Sequence, residues 1–161
     1  MQICLESLVD ITEVPPFNLK HQLVRNRIYD RLCVTPNCII CPSEKQGDCM
    51  VSCAVYLIKC TKCGEEYIDE TARPLCTRIK EHISGRDNSR LSTPLGSHRV
   101  QKHKGDNFEM HITILTTESN ISARKTLEAF WLHARNPSIN RREERPSITS
   151  DLAPYLDLCD F

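Results

Sequence analysis

The amino-acid sequence predicts an α/β fold of the α+β type, in which a small antiparallel β-sheet is flanked by helices. Two short apolar runs that each contain a tyrosine, 55–58 and 66–68, are joined by a turn with a Cys-x2-Cys-Gly motif, and this arrangement is typical of a β-hairpin. A third run, 108–114, alternates apolar and polar residues, as a half-buried strand does. Apolar residues at helical spacing in the other segments favour helices packed on the sheet.

Start signals and apolar spacing place three helices. Pro74 suits the first turn of one helix, which Gly85 can close. The Ser-Thr-Pro sequence at 92–94 begins a second helix that runs to about Val100, and either Asn120 or Ser119 caps a third, longer helix. The buried lines of the first and third helices are expected to be Leu75, Ile79 and Ile83, and Ala123, Leu127, Trp131 and Ala134, respectively.

The chain divides into four parts. Residues 1–32 have the apolar spacing of a helical connector, and residues 33–53 are rich in Cys, Pro and Gly, which suits an irregular segment ordered by zinc. Residues 54–145 carry the strands and helices described above. Residues 146–161 form a C-terminal tail with a final helix near 148–158.

Charge is balanced over the whole chain but not along it. Lys+Arg and Asp+Glu both total 21, so the overall charge gives no indication of a polyanionic partner. Between Arg73 and Lys104, however, eight Lys and Arg residues face only two acidic ones, and such a strip suits contact with phosphates. A solvated helix face is the alternative explanation.

Cysteine usage indicates zinc. We find no secretory leader and no apolar run near the roughly 18 residues of a membrane helix, so we expect a soluble, intracellular chain with no membrane partner. The chain has 10 cysteines, and reduced thiols in such a compartment are better explained as metal ligands than as disulfides.

Two groups of four residues have the spacing of zinc ligands. Cys60 and Cys63 form a zinc knuckle, and His98 and His103 are the best second pair. Because residues i and i+5 of a helix lie about 140° apart, we expect the helix to end between the two histidines. Histidines that face solvent or contact DNA are the alternative. A possible second zinc site, in which Cys53 could replace one ligand, is Cys33, Cys38, Cys41 and Cys49.

Eight short motifs follow one another in a fixed order. They are Val55-Tyr56, Cys60-x2-Cys63-Gly64, Tyr67-Ile68-x-Glu70-Thr71, Arg73-Pro74-Leu75, Arg78-x3-His82, His98-x4-His103, Glu128 and Asn140. In this order they resemble the GIY-YIG endonuclease superfamily, particularly the domain attached to the reverse transcriptases of Penelope-like retroelements. That form carries paired cysteines between its two tyrosine motifs, and the resemblance covers roughly residues 33–145.

The resemblance implies a compact nuclease domain that hydrolyses DNA phosphodiesters with a single divalent cation, Mg²⁺ or Mn²⁺, beside structural Zn²⁺. It implies that Tyr56 and Tyr67 line the cleft, that Arg78 binds the scissile phosphate and that His82 assists proton transfer. The spacing agrees, because i and i+4 side chains project from one helix face. The planar guanidinium of Arg78 also matches two phosphate oxygens at once.

The resemblance further implies that Glu128 binds the Mg²⁺ ion and that Asn140 orders the site. A lone carboxylate is sufficient, because Mg²⁺ keeps several of its water ligands. The implied partners are DNA and, in the parent element, a reverse transcriptase module, and the implied location is the nucleus. Taken singly, Glu128 is equally well explained as a surface ion-pair partner and the tyrosines as half-buried strand residues.

The sequence departs from the family pattern at two positions. Asp69 stands where the second tyrosine motif usually has glycine, and Ala54 stands where the first one does. A position that needs a positive φ would be strained by Asp69, and its carboxylate would lie near phosphate. The leading interpretation is a DNA-nicking endonuclease of retroelement origin. The alternatives are a catalytically inactive, zinc-stabilised nucleic-acid-binding module derived from such a nuclease, and a zinc domain that binds another protein.

Overall fold

The computed structural model describes residues 33, 38–41, 47–150 and 152–158. These residues all belong to one compact unit of the chain. The helical connector predicted for residues 1–32 lies outside the described residues.

Three antiparallel strands form the sheet: β1 (Ala54–Cys60), β2 (Glu66–Thr71) and β3 (Met110–Thr117). They lie in the order β2-β1-β3. All residues of β1 except Lys59 are buried, because the central strand is covered on both faces and paired along both edges. The predicted small antiparallel sheet is confirmed.

The described residues also form three α-helices: α1 (Leu75–Asp87), α2 (Pro94–His103) and α3 (Ile121–Arg135). Thr93, from the predicted start signal, caps α2, and Asn120, one of the two predicted candidates, caps α3, since their side chains accept hydrogen bonds from backbone N–H groups in the first turns. Near the C-terminus, a short 3₁₀ helix over Ala153–Leu158 replaces the longer helix predicted for 148–158. Tyr155 N donates to Leu152 O in the i to i+3 pattern, which rarely extends beyond a few residues.

The two faces of the sheet build two separate cores. Tyr56, Ile58 and Cys60 alternate along β1 and pack with residues of α1 and α2. Val55 and Leu57 point the other way and pack with residues of α3. The sheet is therefore sandwiched between α1 and α2 on one side and α3 on the other.

Helices α1 and α2 meet at glycine contacts. Gly85 does not close α1, as the sequence suggested, because the helix continues to Asp87. Its role is close packing, since a Cβ atom on Gly85 would lie 2.7 Å from Thr93 Oγ1, and one on Gly96 would lie 2.7 Å from Gly85 O. The first turn of α2 is thereby pressed against the end of α1.

The buried face of α3 differs from the expected line. Ala134 is exposed, while Arg124 is only 1% exposed. Its Nε donates to Glu70 Oε2 over 2.5 Å and its Nη1 donates to Glu118 O over 2.9 Å. Apolar spacing could not anticipate this, because the guanidinium is buried only by virtue of a partner on β2.

Removal of this guanidinium should destabilise the fold. We expect Arg124→Ala to lower the free energy of unfolding by about 3 kcal/mol, because Glu70 is left largely buried without its counter-charge. Denaturation by urea in the presence of zinc measures the loss. The exposed neighbour provides the control, and Lys125→Ala should change the same quantity by less than about 0.5 kcal/mol. Equal effects of the two variants would contradict the assignment.

Candidate active site and metal centres

The end of β1, the following turn and α2 bring four metal-binding groups together. Cys60 Sγ lies 3.4 Å from His103 Nε2, and Cys63 Sγ lies 3.5 Å from His98 Nε2. The two Nε2 atoms are 3.2 Å apart. Tetrahedral zinc bonded to sulfur and nitrogen sets S–N separations of about 3.5 Å and N–N separations of about 3.3 Å. The four predicted residues therefore form a group that could hold zinc.

The expectation that the helix ends between the two histidines is wrong. Helix α2 runs without a break to His103, and Lys104 follows in the left-handed conformation with φ 55°. The two rings nevertheless meet edge to face with 4.8 Å between their centroids. The side chains extend toward each other and so compensate for the angle of about 140° between their positions on the helix.

Sequence reasoning missed a carboxylate that orients one of these ligands. Glu65 Oε2 lies 3.3 Å from His98 Nδ1, and its other oxygen pairs with Lys102 Nζ at 2.5 Å. A carboxylate on Nδ1 directs Nε2 at the metal. Burial lowers the pKa of His98, and this effect outweighs the charge of Glu65, which acts to raise the pKa. The lowered pKa favours the neutral form of the histidine, which is the form that binds zinc. The available signal was the position of Glu65 next to the Cys-Gly turn.

The upstream cysteines form the second predicted group. The sulfurs of its four members all lie within 4.8 Å of one another. Burial raises the pKa of the Cys41 thiol, but hydrogen bonds from the backbone of Cys49 and Gly47 outweigh this and lower it to about 7. Cys53 does not join the group, and its Sγ lies 3.8 Å from Ala72 O. The four sulfurs, which could hold a metal such as zinc, belong to Cys33, Cys38, Cys41 and Cys49.

Zinc content should follow this grouping. We expect the purified chain to carry two zinc ions, and Cys60→Ser to carry one, because the remaining three ligands bind zinc weakly. Cys76→Ser is the matched control, since Cys76 lies outside both groups and contacts Met50. Atomic absorption on protein freed of loosely bound metal measures the content. A wild-type chain without zinc would contradict the assignment.

A second constellation lies on the same face of the sheet. In the register of the hairpin, Tyr56 is opposite Asp69 and Tyr67 is opposite Ile58, so the two tyrosines are diagonal neighbours. His82 projects from α1 between them, with 6.0 Å from its ring centroid to that of Tyr56 and 5.4 Å to that of Tyr67. The Tyr56 hydroxyl lies 2.8 Å from His82 Nε2.

Asp69 is the centre of this constellation. Its Oδ2 accepts hydrogen bonds from the Tyr56 hydroxyl at 2.9 Å and from Arg78 Nε and Nη2 at 3.1 and 2.7 Å. His82 Nε2 is 3.2 Å from the same oxygen. Burial opposes ionisation of Asp69, but the hydrogen bond with His82 and the charge of Arg78 outweigh it and lower the pKa of the carboxyl.

The backbone of Asp69 is not strained. Among the described residues, positive φ at non-glycine positions is confined to Cys53, Ser89, Lys104 and Asn136. Asp69 is an ordinary strand residue of β2, so the position needs no left-handed conformation. The consequence of this aspartate is electrostatic, because its carboxylate holds the guanidinium that was predicted to bind phosphate.

Both phenols are held in the protonated form by their surroundings. Burial raises the pKa of Tyr56 well above its ordinary value, and the charge of Asp69 adds to the effect. Burial and Asp69 also raise the pKa of Tyr67. The positive charge of Arg78 lowers the pKa of both phenols, but burial and the charge of Asp69 outweigh it.

Glu128 approaches the constellation from α3. Burial raises the pKa of its carboxyl to about 8, and the charges of Asp69 and Glu70 add to this. The charge of Glu128 acts in turn on Tyr67. The charge of a carboxylate on the opposite side of the sheet thus acts on Tyr67, a residue of the edge strand β2.

Asn140 closes that edge. Its Oδ1 accepts a hydrogen bond from Ile68 N at 2.8 Å, and its Nδ2 donates to Ile68 O at 2.7 Å. The amide pairs with the backbone as a neighbouring strand would. Because Ile68 lies between Tyr67 and Asp69 in β2, this contact helps to hold both side chains in place.

The burial of Glu128 should make stability depend on pH. Its folded pKa of about 8 lies above the ordinary value of 4.5, so between these values the folded chain binds a proton that the unfolded chain does not, and the free energy of unfolding falls as pH rises. We expect Glu128→Gln to be the more stable protein, with the difference growing by about 1–2 kcal/mol from pH 6.5 to 8.5.

Denaturation at several pH values, with zinc present and no magnesium, checks this expectation. The exposed Glu143→Gln variant serves as the control and should show a constant difference from the wild type. A difference between Glu128→Gln and the wild type that shrinks as pH rises would contradict the assignment.

No helix in the described part of the chain is both long enough and apolar enough to cross a lipid bilayer. Comparison of the chain with protein-family models, with curated proteins and with solved structures finds no match. A functional interpretation therefore depends on the geometry of the two metal-binding groups and of the constellation around Asp69.

Proposed function

We propose that this chain is a divalent-metal-dependent DNA endonuclease of the GIY-YIG type and of retroelement origin, which nicks DNA by hydrolysis of a phosphodiester. The observation that carries the proposal is the meeting of two tyrosines, a histidine and an arginine from three elements on one face of the sheet, while Glu128 on α3 is near enough for its charge to act on Tyr67. A nuclear location follows from a DNA substrate.

The proposed role of Arg78 is to bind the scissile phosphate. Its Nε and Nη2 point in one direction, toward a single carboxylate oxygen, and this pair of donors matches two phosphate oxygens. The hydroxyl of Tyr56 and Nε2 of His82 are joined by a 2.8 Å hydrogen bond. When a phosphate takes the place of Asp69 beside Arg78, the Tyr56 hydroxyl can donate to His82 Nε2 instead of to Asp69, and a proton from an attacking water can then pass through Tyr56 to His82.

Glu128 is the proposed ligand of the catalytic cation, Mg²⁺ or Mn²⁺. The fit is supported by charge, because the negative charges of Asp69, Glu70 and Glu144 act on Glu128 against the single positive charge of Lys125, and negative charge attracts a hard cation. When bound, the cation polarises the phosphoryl oxygen and stabilises the leaving 3′ oxygen. Asn140 keeps β2, and with it Tyr67, in position for this arrangement.

The basic side chains around α1 and α2 support a DNA contact made by fewer residues than the whole strip from Arg73 to Lys104 that the sequence suggested. Several cations of the basic strip are engaged within the chain; for example, Arg99 donates to the carbonyls of Gly105 and Asp87. Lys80 and Arg90 remain exposed and line one shallow depression with Thr77. Lys80, on the helix that carries Arg78, and Arg90, just after the end of that helix, offer phosphate contacts.

Plasmid nicking tests the proposal. We expect the zinc-loaded protein with Mg²⁺ to convert supercoiled plasmid to the open circle, and Arg78→Ala and Glu128→Ala to reduce the rate by about 100-fold or more. Ser122→Ala, at an exposed position of α3, is the matched control and should keep the wild-type rate. Equal rates in all the variants would mean that the nicking belongs to a contaminant.

A second function is favoured by one observation, the occupation of Arg78 by Asp69. The chain would then be a catalytically inactive, zinc-stabilised nucleic-acid-binding module. On that proposal DNA is retarded in a salt-dependent manner without cleavage, and a Lys80→Ala/Arg90→Ala double variant binds more weakly, whereas Arg78→Ala binds as the wild type does.

A further inference from the structure

The hydrogen-bond donors around Asp69 are distributed unevenly between its two oxygens. Oδ2 has four nitrogen and oxygen neighbours within 3.2 Å, from Tyr56, Arg78 and His82. Oδ1 accepts one hydrogen bond, from Glu70 N at 2.8 Å. A carboxylate offers about four lone-pair sites shared between two oxygens, so the donors outnumber the sites of the atom on which they converge.

A tetrahedral anion suits this set of donors better than one oxygen does. The donors come from β1 and α1, and they surround a single point in a site where the side chain of Asp69 is 14% exposed and that of His82 is 6% exposed. A phosphate presents several oxygens in different directions, so each donor could have an acceptor of its own.

We propose that the Asp69 carboxylate is a built-in competitor of the scissile phosphate, held in the anion site formed by Arg78, His82 and Tyr56. The inference rests on the proposed function, because it concerns regulation of the same site. Asp69 is present at very high effective concentration, since it belongs to β2 and its second oxygen is tied to Glu70 N. A phosphate must displace it and leave a carboxylate without its counter-charge, which is costly.

Competition by Asp69 explains how the chain can hold the phosphate-binding side chains in place and yet bind phosphate weakly. The donors all converge on the Asp69 carboxylate in the resting chain, so phosphodiesters that arrive along α1 meet a neutralised Arg78. Removal of the carboxylate would release the donors while leaving their positions intact, because Tyr56 is held in the core of the sheet and His82 is buried on α1.

Binding of inorganic phosphate, measured by isothermal titration calorimetry on the zinc-loaded full chain, tests this inference. We expect Asp69→Gly to bind phosphate at least tenfold more tightly than the wild type, and Asp69→Asn, which removes the charge but keeps the shape, to bind more tightly than the wild type as well. The gain should disappear in Asp69→Gly/Arg78→Ala. Zinc content and thermal denaturation show that each variant is folded.

Glu81→Gln is the matched control. Glu81 Oε2 pairs with Arg78 Nη1 at 3.0 Å but is exposed and lies outside the anion site. We expect its loss to change phosphate affinity less than twofold, because exposed ion pairs are weak and screened. A folded Asp69→Gly protein with wild-type phosphate affinity, or one whose binding survives loss of Arg78, would overturn the inference.

Plasmid nicking by the same proteins separates this inference from the proposed function. Tighter phosphate binding together with faster nicking by Asp69→Gly supports both. Tighter binding without any nicking supports the competitor and contradicts the nuclease. Nicking by the wild type at the same rate as by Asp69→Gly, with unchanged phosphate affinity, supports the nuclease and contradicts the competitor.

Discussion

The pairing of β1 with β2 is the constraint on which the rest of the structure depends. Because successive strand residues point to opposite faces, a slip of one position would move every functional side chain of the hairpin to the other side of the sheet. The observed register sets Tyr56 against Asp69, and it directs Cys60 toward α2. The metal-binding group that contains Cys60 and the constellation that contains Tyr56 therefore lie on the same face of the sheet, and each takes a residue from β1.

This arrangement couples the two sites mechanically. The histidines of the metal-binding group lie on α2, and α2 is pressed against α1 at Gly85 and Gly96. Helix α1 in turn carries Arg78 and His82. A metal ion bound between Cys60 and His103 would fix the distance from the end of β1 to α2, and through that contact the position of α1 over the hairpin.

Much of this could be read from the amino-acid sequence, where local periodicity and spacing decide the outcome. The strands, the three helices and both groups of metal ligands follow from such signals. The role of Asp69 could not be predicted from these signals, because this role depends on which residue lies opposite Tyr56 in the hairpin. The geometry of the turn sets the register of the two strands and so decides which residue that is. The burial of Arg124 was equally hidden, since a charged residue is buried only where the fold supplies a partner. The resemblance to GIY-YIG nucleases stays a prediction.

The contact between Asn140 and Ile68 also bears on how the sheet is protected from association. Strand β2 lies at one side of the sheet, and an unpaired strand there is a template for pairing with another chain. Asn140 engages both backbone groups of Ile68, and Ile139 N donates to Glu66 O at 3.0 Å. The segment after α3 thus blocks strand addition along β2, and a chain that ended before it would expose an aggregation-prone edge.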